Sequence, residues 1–166
     1  GATPGGADHR TVLARSSVYS TGVTAFSPGA VTTWQDPDGV RWLLVASAGP
    51  PARETAFPAG NGAISNGTVV AFRLTAGAGG LAFEPGWTAR DLTAPTTPIV
   101  LNDVAFVLSS GAFTTADTLM PVAQRLQRSS PAVLYALDAR TGRELWSSGR
   151  TITTSVQGLG PSGQDG

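Results

Sequence analysis

The stretch Leu134-Tyr-Ala-Leu-Asp-Ala-Arg-Thr-Gly-Arg-Glu-Leu-Trp146 decides the fold of this 166-residue chain. An apolar and aromatic run favours a strand, Thr-Gly is typical of a turn, and Leu-Trp begins a second apolar run. An upstream stretch, Val69-Val-Ala-Phe-Arg-Leu-Thr-Ala-Gly77, has the same layout at an offset of 65 residues. The matched pairs are Ala71 with Ala136, Phe72 with Leu137, and Gly77 with Gly142. The repetition predicts a chain built from similar β units.

Further runs rich in β-branched and aromatic residues predict more strands. The candidates are 31–34, 41–47, 68–74, 98–101, 104–109 and 132–138. The turns Asp36-Pro-Asp-Gly39 and Leu101-Asn-Asp-Val104 join four of them into two hairpins. Only 118–127 has a loose helical spacing, with Pro121 in its first turn, and a short helix or a loop both remain open there. The fold class predicted is all-β.

Each unit covers about 60 residues, more than a compact propeller blade of roughly 40 residues. A unit of three or four strands cannot bury both of its faces alone, so neighbouring units must stack. The excess length falls in two loops rich in small and polar residues, 48–66 and 111–130. Mobile decoration and a binding role both remain open for these loops.

Residues 133–146 resemble the repeat of the pyrroloquinoline-quinone (PQQ)-like, or quinoprotein alcohol dehydrogenase-like, β-propeller family. That repeat has a strand of the type valine/leucine-Tyr-Ala-Leu-Asp, a Thr-Gly turn and a Leu-Trp pair. The preceding Ala94-Pro-Thr-Thr-Pro-Ile-Val-Leu-Asn-Asp-Val-Ala-Phe-Val107 is similar to its first two strands. Residues 25–90 depart from the pattern. Arg73 replaces the Asp, Ala76-Gly77 replaces Thr-Gly, and Leu81-Ala-Phe-Glu-Pro-Gly-Trp87 replaces Leu-Trp.

The resemblance implies a partial β-propeller of antiparallel blades, a fragment of a ring of roughly six to eight blades. Residues 1–24 form an N-terminal segment whose stretch 11–18 is a candidate outer strand of a preceding blade. Residues 25–90 form a divergent blade, 91–150 a PQQ-like blade, and 151–166 the truncated start of a further blade, with 147–156 similar to an opening strand. Two blades cannot close a ring, so exposed edges are expected to pair with other blades or another protein.

Enzymes of the family hold PQQ in a central funnel beside a calcium ion, with Glu, Asn and Asp ligands, an Asp base and often a vicinal Cys pair. The chain has no Cys, and none of the other motifs can be placed on it. No catalytic, cofactor-binding or metal-binding residue is therefore assigned. Asp36-Pro-Asp38-Gly39 is similar to the start of a calcium loop, but the later ligands are missing, which favours a structural turn.

For the other residues that could act in catalysis or ligand binding, the surrounding sequence gives little support for such a role. The sole histidine, His9, lies in a Gly-rich segment that favours a solvated side chain. Ser27 and Ser129 lack the context of a nucleophile elbow, which argues against a serine hydrolase. Gly77-Ala-Gly-Gly80 precedes no helix, so it predicts a turn and not a nucleotide site.

The four tryptophans, Trp34, Trp42, Trp87 and Trp146, are compatible with two roles. They would suit an aromatic platform for a sugar or a quinone, or they would pack between blades. Their spacing in the repeat favours packing for Trp87 and Trp146.

The amino-acid composition argues against several classes of partner and of chemistry. The formal net charge is +0 and only 13% of residues are charged, which argues against nucleic-acid binding. All eleven basic residues are Arg, so a lysine Schiff base is excluded, and no apolar run approaches the roughly 20 residues of a transmembrane helix.

The expected function is a non-catalytic protein- or ligand-binding scaffold. The alternative is a fragment of a PQQ-dependent alcohol or sugar dehydrogenase whose PQQ and calcium ligands lie on other blades. The habit of the family implies a bacterial protein of the periplasm or the cell exterior.

Overall fold

The computed structural model describes residues 12–21, 30–58, 60–77, 80–113 and 120–156. Eight strands form two four-stranded sheets, and each sheet is an antiparallel meander in chain order. The first sheet contains β1 (Thr32–Gln35), β2 (Arg41–Ser47), β3 (Thr68–Gly77) and β4 (Gly80–Thr88). The second contains β5 (Ile99–Leu101), β6 (Val104–Ser109), β7 (Val133–Asp138) and β8 (Glu144–Ser147). The all-β prediction is confirmed.

The two predicted hairpin turns join β1 to β2 and β5 to β6. In the first, the Gly39 amide donates to the Asp36 carbonyl at 2.9 Å, and Gly39 has a φ of +83°. In the second, Asn102 and Asp103 both adopt positive φ, at 48° and 61°. Asn and Asp tolerate this region better than other side chains, which explains their place in a two-residue hairpin turn.

The main hydrophobic core lies between the two sheets, which pack face to face. The first sheet and the chain leaving it contribute Trp42, Leu44, Ala46, Val69, Ala71, Trp87, Ala89 and Leu92. The second sheet and the turn after β7 contribute Ala105, Val107, Leu137 and Ala139. Each sheet therefore buries an apolar face by stacking on the other, as the repeat logic requires.

Strand β4 is the main element that the strand predictions missed. It contains Pro85 and Gly86, which are both poor strand formers. A bulge between Ala71 and Phe72 accommodates them, and β4 is an edge strand that needs no amide from Pro85. A Cβ on Gly86 would lie 2.6 Å from the Trp42 ring, so the glycine makes room for that side chain.

The sequence suggested an outer strand at 11–18. The described part of that stretch, 12–18, forms no strand with the described residues. A single bridge pairs Ser20 with Pro51 of the loop between β2 and β3. Pro50 and Pro51 have no amide hydrogen, so the two segments cannot extend the bridge into a ladder. The pairing of 11–18 with a preceding blade stays a prediction.

The loop 48–66, for which mobile decoration and binding were both open, packs on the first sheet. Its Phe57 joins Tyr19 on a second apolar cluster formed by Val45, Val70 and Phe72. This cluster lies on the face of the first sheet that points away from the second sheet. The loop thus extends the core of the first unit.

A short helix, α1 (Val122–Arg128), lies in the loop 111–130, and Pro121 is its N-cap. Of the helix and the loop that remained open for 118–127, the structure shows the helix, which starts later than the sequence pattern suggested. Residues 118–119 lie outside the described residues. None of the helix residues is buried. Within the described ranges, no helix combines the length and the apolar character needed to cross a membrane.

Residues 148–156 do not form the opening strand that the repeat pattern suggested. Single backbone hydrogen bonds join these residues to two different segments of the chain. The Ala132 amide donates to the Thr154 carbonyl, and the Val156 amide donates to the Ser110 carbonyl, each at 2.8 Å. Bonds to two separate partners hold the segment against the second sheet without building a ladder.

Candidate functional site

Trp87 connects the two sheets. It is 1% exposed, and its indole Nε1 donates to the Ala139 carbonyl at 3.0 Å. Gly142 lies beside the ring, where a Cβ would approach Trp87 to 2.6 Å. Gly142 also has a φ of +72°, so both the turn and the contact require glycine. The Thr-Gly turn of the repeat thus forms a seat for the tryptophan of the preceding unit.

Strand pairing shows which residues of the two sheets correspond. In the first sheet, the row Thr32, Leu44, Ala71 and Trp87 runs across all four strands. In the second sheet, the corresponding row is Ile99, Phe106, Ala136 and Trp146. A bulge follows Ala71 and Ala136 alike. Trp87 and Trp146 therefore occupy the same place in the repeat.

The two corresponding faces differ in what covers them. Leu44, Ala71 and Trp87 are at most 1% exposed because the second sheet lies on them. On the second sheet, Ile99 is 67% and Trp146 is 54% exposed. The packing expected for both tryptophans is thus confirmed for Trp87. Trp146 has no such cover among the described residues, and its packing against a further blade stays a prediction.

We refer to the open side of the second sheet as the Trp146 face. Its residues follow from the alternation of side chains along paired strands. They are Ile99, Leu101, Val104, Phe106, Leu108, Leu134, Ala136 and Trp146. Every one is apolar; Ile99, Leu101 and Trp146 are more than half exposed, whereas Ala136 is buried at 8%. Exposed apolar side chains that lie together on one face are typical of a binding site.

The turn Asp36–Gly39 anchors the second sheet to the first. The Asp36 carboxylate accepts bonds from the Trp42 indole at 3.0 Å and from the Val40 amide at 2.9 Å. The Arg140 guanidinium from the turn after β7 lies 3.6 Å from Asp36 and pairs with Asp38. The sequence gives no sign of this cluster, because its members meet only when the sheets stack.

These contacts set the charge of Asp36. The indole hydrogen bond from Trp42 lowers the pKa of Asp36 most, burial raises it, and the Val40 amide and Arg140 lower it further. The net pKa lies below the ordinary value of 3.8, so the carboxylate is ionised near neutral pH.

The residues of this turn do not fit a calcium ion. Both Asp36 oxygens already accept hydrogen bonds, and the Arg140 charge lies against both carboxylates. A cation there would have to displace the guanidinium. In the described part of the chain, no group of three or more His, Asp or Glu side chains is placed to hold a metal.

The loop 48–66 is tied to the second unit as well as to the first. The Asn61 side-chain amide donates to the Gly142 carbonyl at 2.8 Å. Nearby, the Asp91 carboxylate accepts bonds from the amides of Ser65 and Asn66 at 2.9 and 2.8 Å. Burial raises the pKa of Asp91, but these bonds outweigh it, and the net pKa is lowered. The loop therefore helps to fix the Trp87 seat at Gly142.

The other sequence candidates have structural contacts or lie outside the described residues. Trp34 stacks on Trp42 with ring centroids 6.1 Å apart, and both pack in the inter-sheet core. The Ser129 hydroxyl donates to the Arg125 carbonyl after α1 at 2.9 Å. Gly77 and Gly80 end β3 and begin β4, as the predicted turn requires, with 78–79 outside the description. His9 and Ser27 also lie outside it.

Comparison of the chain with protein-family models, with curated proteins and with solved structures gives no match. The likeness to the PQQ-like repeat therefore rests on the residues of this chain alone.

Proposed function

We propose that this chain is a segment of a PQQ-like β-propeller that acts as a non-catalytic binding scaffold. Two meanders in chain order, stacked face to face, support this reading, since propeller blades have that strand order. The first strands of the two meanders also lie together, with the Thr32 hydroxyl donating to the Pro98 carbonyl just before β5. Neighbouring first strands are what a ring of blades around a channel requires.

The observation that carries the proposal is the exposure of Trp146. Its counterpart Trp87 is buried against a following sheet, with a carbonyl and a glycine as its seat. The Trp146 face repeats that arrangement and binds another sheet in the same manner. The partner is another blade or another protein that offers a small residue and a free carbonyl to Trp146.

The polar residues of the turns favour a scaffold over the dehydrogenase alternative. Asp36, Asp38 and Arg140 hold one sheet against the other. Asp138 accepts bonds from the amides of Arg140 and Thr141 within its own turn. These side chains are committed to the framework, so they are not available for proton transfer.

The test is a calorimetric titration of PQQ into the complete protein that contains this segment, with calcium chloride present, followed by a dye-linked dehydrogenase assay with alcohols and aldoses. We expect no stoichiometric uptake of PQQ and no turnover. A saturable 1:1 uptake, or PQQ-dependent dye reduction, would refute the scaffold and support the dehydrogenase fragment.

A further inference from the structure

The far face of the first sheet is covered by side chains that come from outside the sheet. Phe72, at the centre of this face, is 0% exposed. The rings of Tyr19 and Phe57 lie 6.0 and 5.5 Å from the Phe72 ring, measured between centroids. We call residues 12–21 together with 48–58 the strap.

The strap covers one face of the first sheet. The corresponding face of the second sheet packs against the whole first sheet instead. The strand pairs Val45 with Val70 and Leu43 with Phe72 have counterparts in Val107 with Tyr135 and Ala105 with Leu137. The second-sheet residues pack on the first sheet in the main core. The first-sheet residues pack on Tyr19 and Phe57 instead. The strap therefore stands where a preceding sheet would stand.

Hydrogen bonds hold the two parts of the strap to each other. The Ala52 amide donates to the Tyr19 carbonyl at 3.1 Å, and the Thr21 amide donates to the Pro50 carbonyl at 3.2 Å. The Thr55 hydroxyl, which is buried, bonds with the Ser17 hydroxyl at 2.9 Å and donates to the Val18 carbonyl. Residues 12–21 reach the apolar cluster of the sheet through the Tyr19 ring.

We propose that the strap is a displaceable cap that prevents copies of this chain from stacking head to tail. When the strap is displaced, the face around Phe72 accepts the Trp146 face of a second copy. The inference rests on the sheet stacking of the proposed function. An interface between two different faces adds copies without limit unless it closes into a ring, so a cap on one face keeps the chain from polymerising.

The second copy fits because the two faces correspond to the two that already meet inside the chain. The Trp146 face is the counterpart of the first-sheet face around Trp87, by the matching rows of the two sheets. The face around Phe72 is the counterpart of the second-sheet face of Val107 and Leu137, which packs on Trp87 in the main core. Among the described residues from outside the sheet, Tyr19 and Phe57 of the strap pack on the face around Phe72.

The experiment uses two variants of the full chain with complementary faces. Tyr19→Ser combined with Phe57→Ser releases the strap, and we expect this variant to form oligomers in light scattering where the wild type is a monomer. Adding Trp146→Arg gives an acceptor that has only the released face. We expect the acceptor to be monomeric alone and to form a 1:1 complex with dye-labelled wild-type chain in fluorescence anisotropy.

A matched control separates specific stacking from general stickiness. Leu126 on α1 is 51% exposed, close to the 54% of Trp146, but lies outside both faces. A Leu126→Arg donor should bind the acceptor as the wild type does, whereas a Trp146→Arg donor should bind at least tenfold more weakly. Equal binding of the two donors, or self-association of the acceptor alone, would overturn the proposal.

A milder variant covers the case in which the released chain does not fold. Thr55→Val keeps the shape of a buried side chain but removes the bonds to Ser17 and Val18. We expect it to bind the Trp146 face measurably, and a folded Thr55→Val chain that binds no better than wild type would overturn the cap. Uptake of PQQ would refute the scaffold without changing these results, so the two failures are distinguishable.

Discussion

Trp87 and Trp146 occupy the same place in the repeat, and truncating each should have very different effects on stability. Trp87→Ala removes a 1% exposed ring from the inter-sheet core, which typically costs about 3–5 kcal/mol of the free energy of unfolding. It also leaves the Ala139 carbonyl without its indole donor, worth about 1 kcal/mol. Trp146→Ala removes a ring that is already 54% exposed and should cost within about 1 kcal/mol.

Urea denaturation followed by far-UV circular dichroism measures both variants against wild type. In thermal melts, the Trp87→Ala loss corresponds to a fall in Tm of about 10 °C or more for a chain of this size. Trp87→Phe keeps the ring but not the N–H donor, so it should lie between wild type and Trp87→Ala. Equal losses for Trp87→Ala and Trp146→Ala would refute the reasoning, because the assignment of one covered and one open face would then be wrong.

Two further predictions concern the turns that hold the sheets together. Gly142→Ala should lower the free energy of unfolding by about 2–5 kcal/mol, because it adds backbone strain and a clash with Trp87. Gly149 also has a positive φ but no atom within 4 Å, so Gly149→Ala should cost about 1–2 kcal/mol from strain alone. Urea denaturation of both variants measures this difference. The lowered pKa of Asp36 stabilises the fold above the ordinary value of 3.8, and this stability is lost as pH falls through the folded pKa. Melts of Asp36→Asn and wild type between pH 6 and 3 should show a smaller acid-induced fall in Tm for the variant, and an unchanged fall would contradict the role of Asp36.

The strands that the sequence predicts well are those whose neighbours in the sequence are clear turn residues. Arg41–Ser47 and Val104–Ser109 match their predicted bounds, since each follows a hairpin turn that fixes its start. Strand β4 was missed because Pro85 and Gly86 lie inside it, and their fit depends on a bulge and on the Trp42 ring. Such compensation requires the partner strand, which a local pattern does not contain.

The candidate site was predictable only in part for the same reason. The repeat places Trp87 and Trp146 at matching positions, but which of them is covered depends on the presence of a following sheet. The anchoring of Arg140 to Asp36 joins residues about a hundred positions apart and exists only after the sheets stack. The strap was unpredictable because Tyr19 directly follows the stretch 11–18, whose pattern suggested a strand, and its contact with Phe72 forms only in the folded chain.

The most direct test of the account is the solvent access of each tryptophan in the intact chain. Labelling with 5-fluorotryptophan gives one ¹⁹F resonance per ring, each assigned with a single Trp→Phe variant, and a soluble gadolinium chelate broadens the resonances of exposed rings. The account predicts strong broadening for Trp146 and little for Trp87. Comparable broadening of the two resonances would contradict a repeat in which one tryptophan is seated and its counterpart is open for a partner.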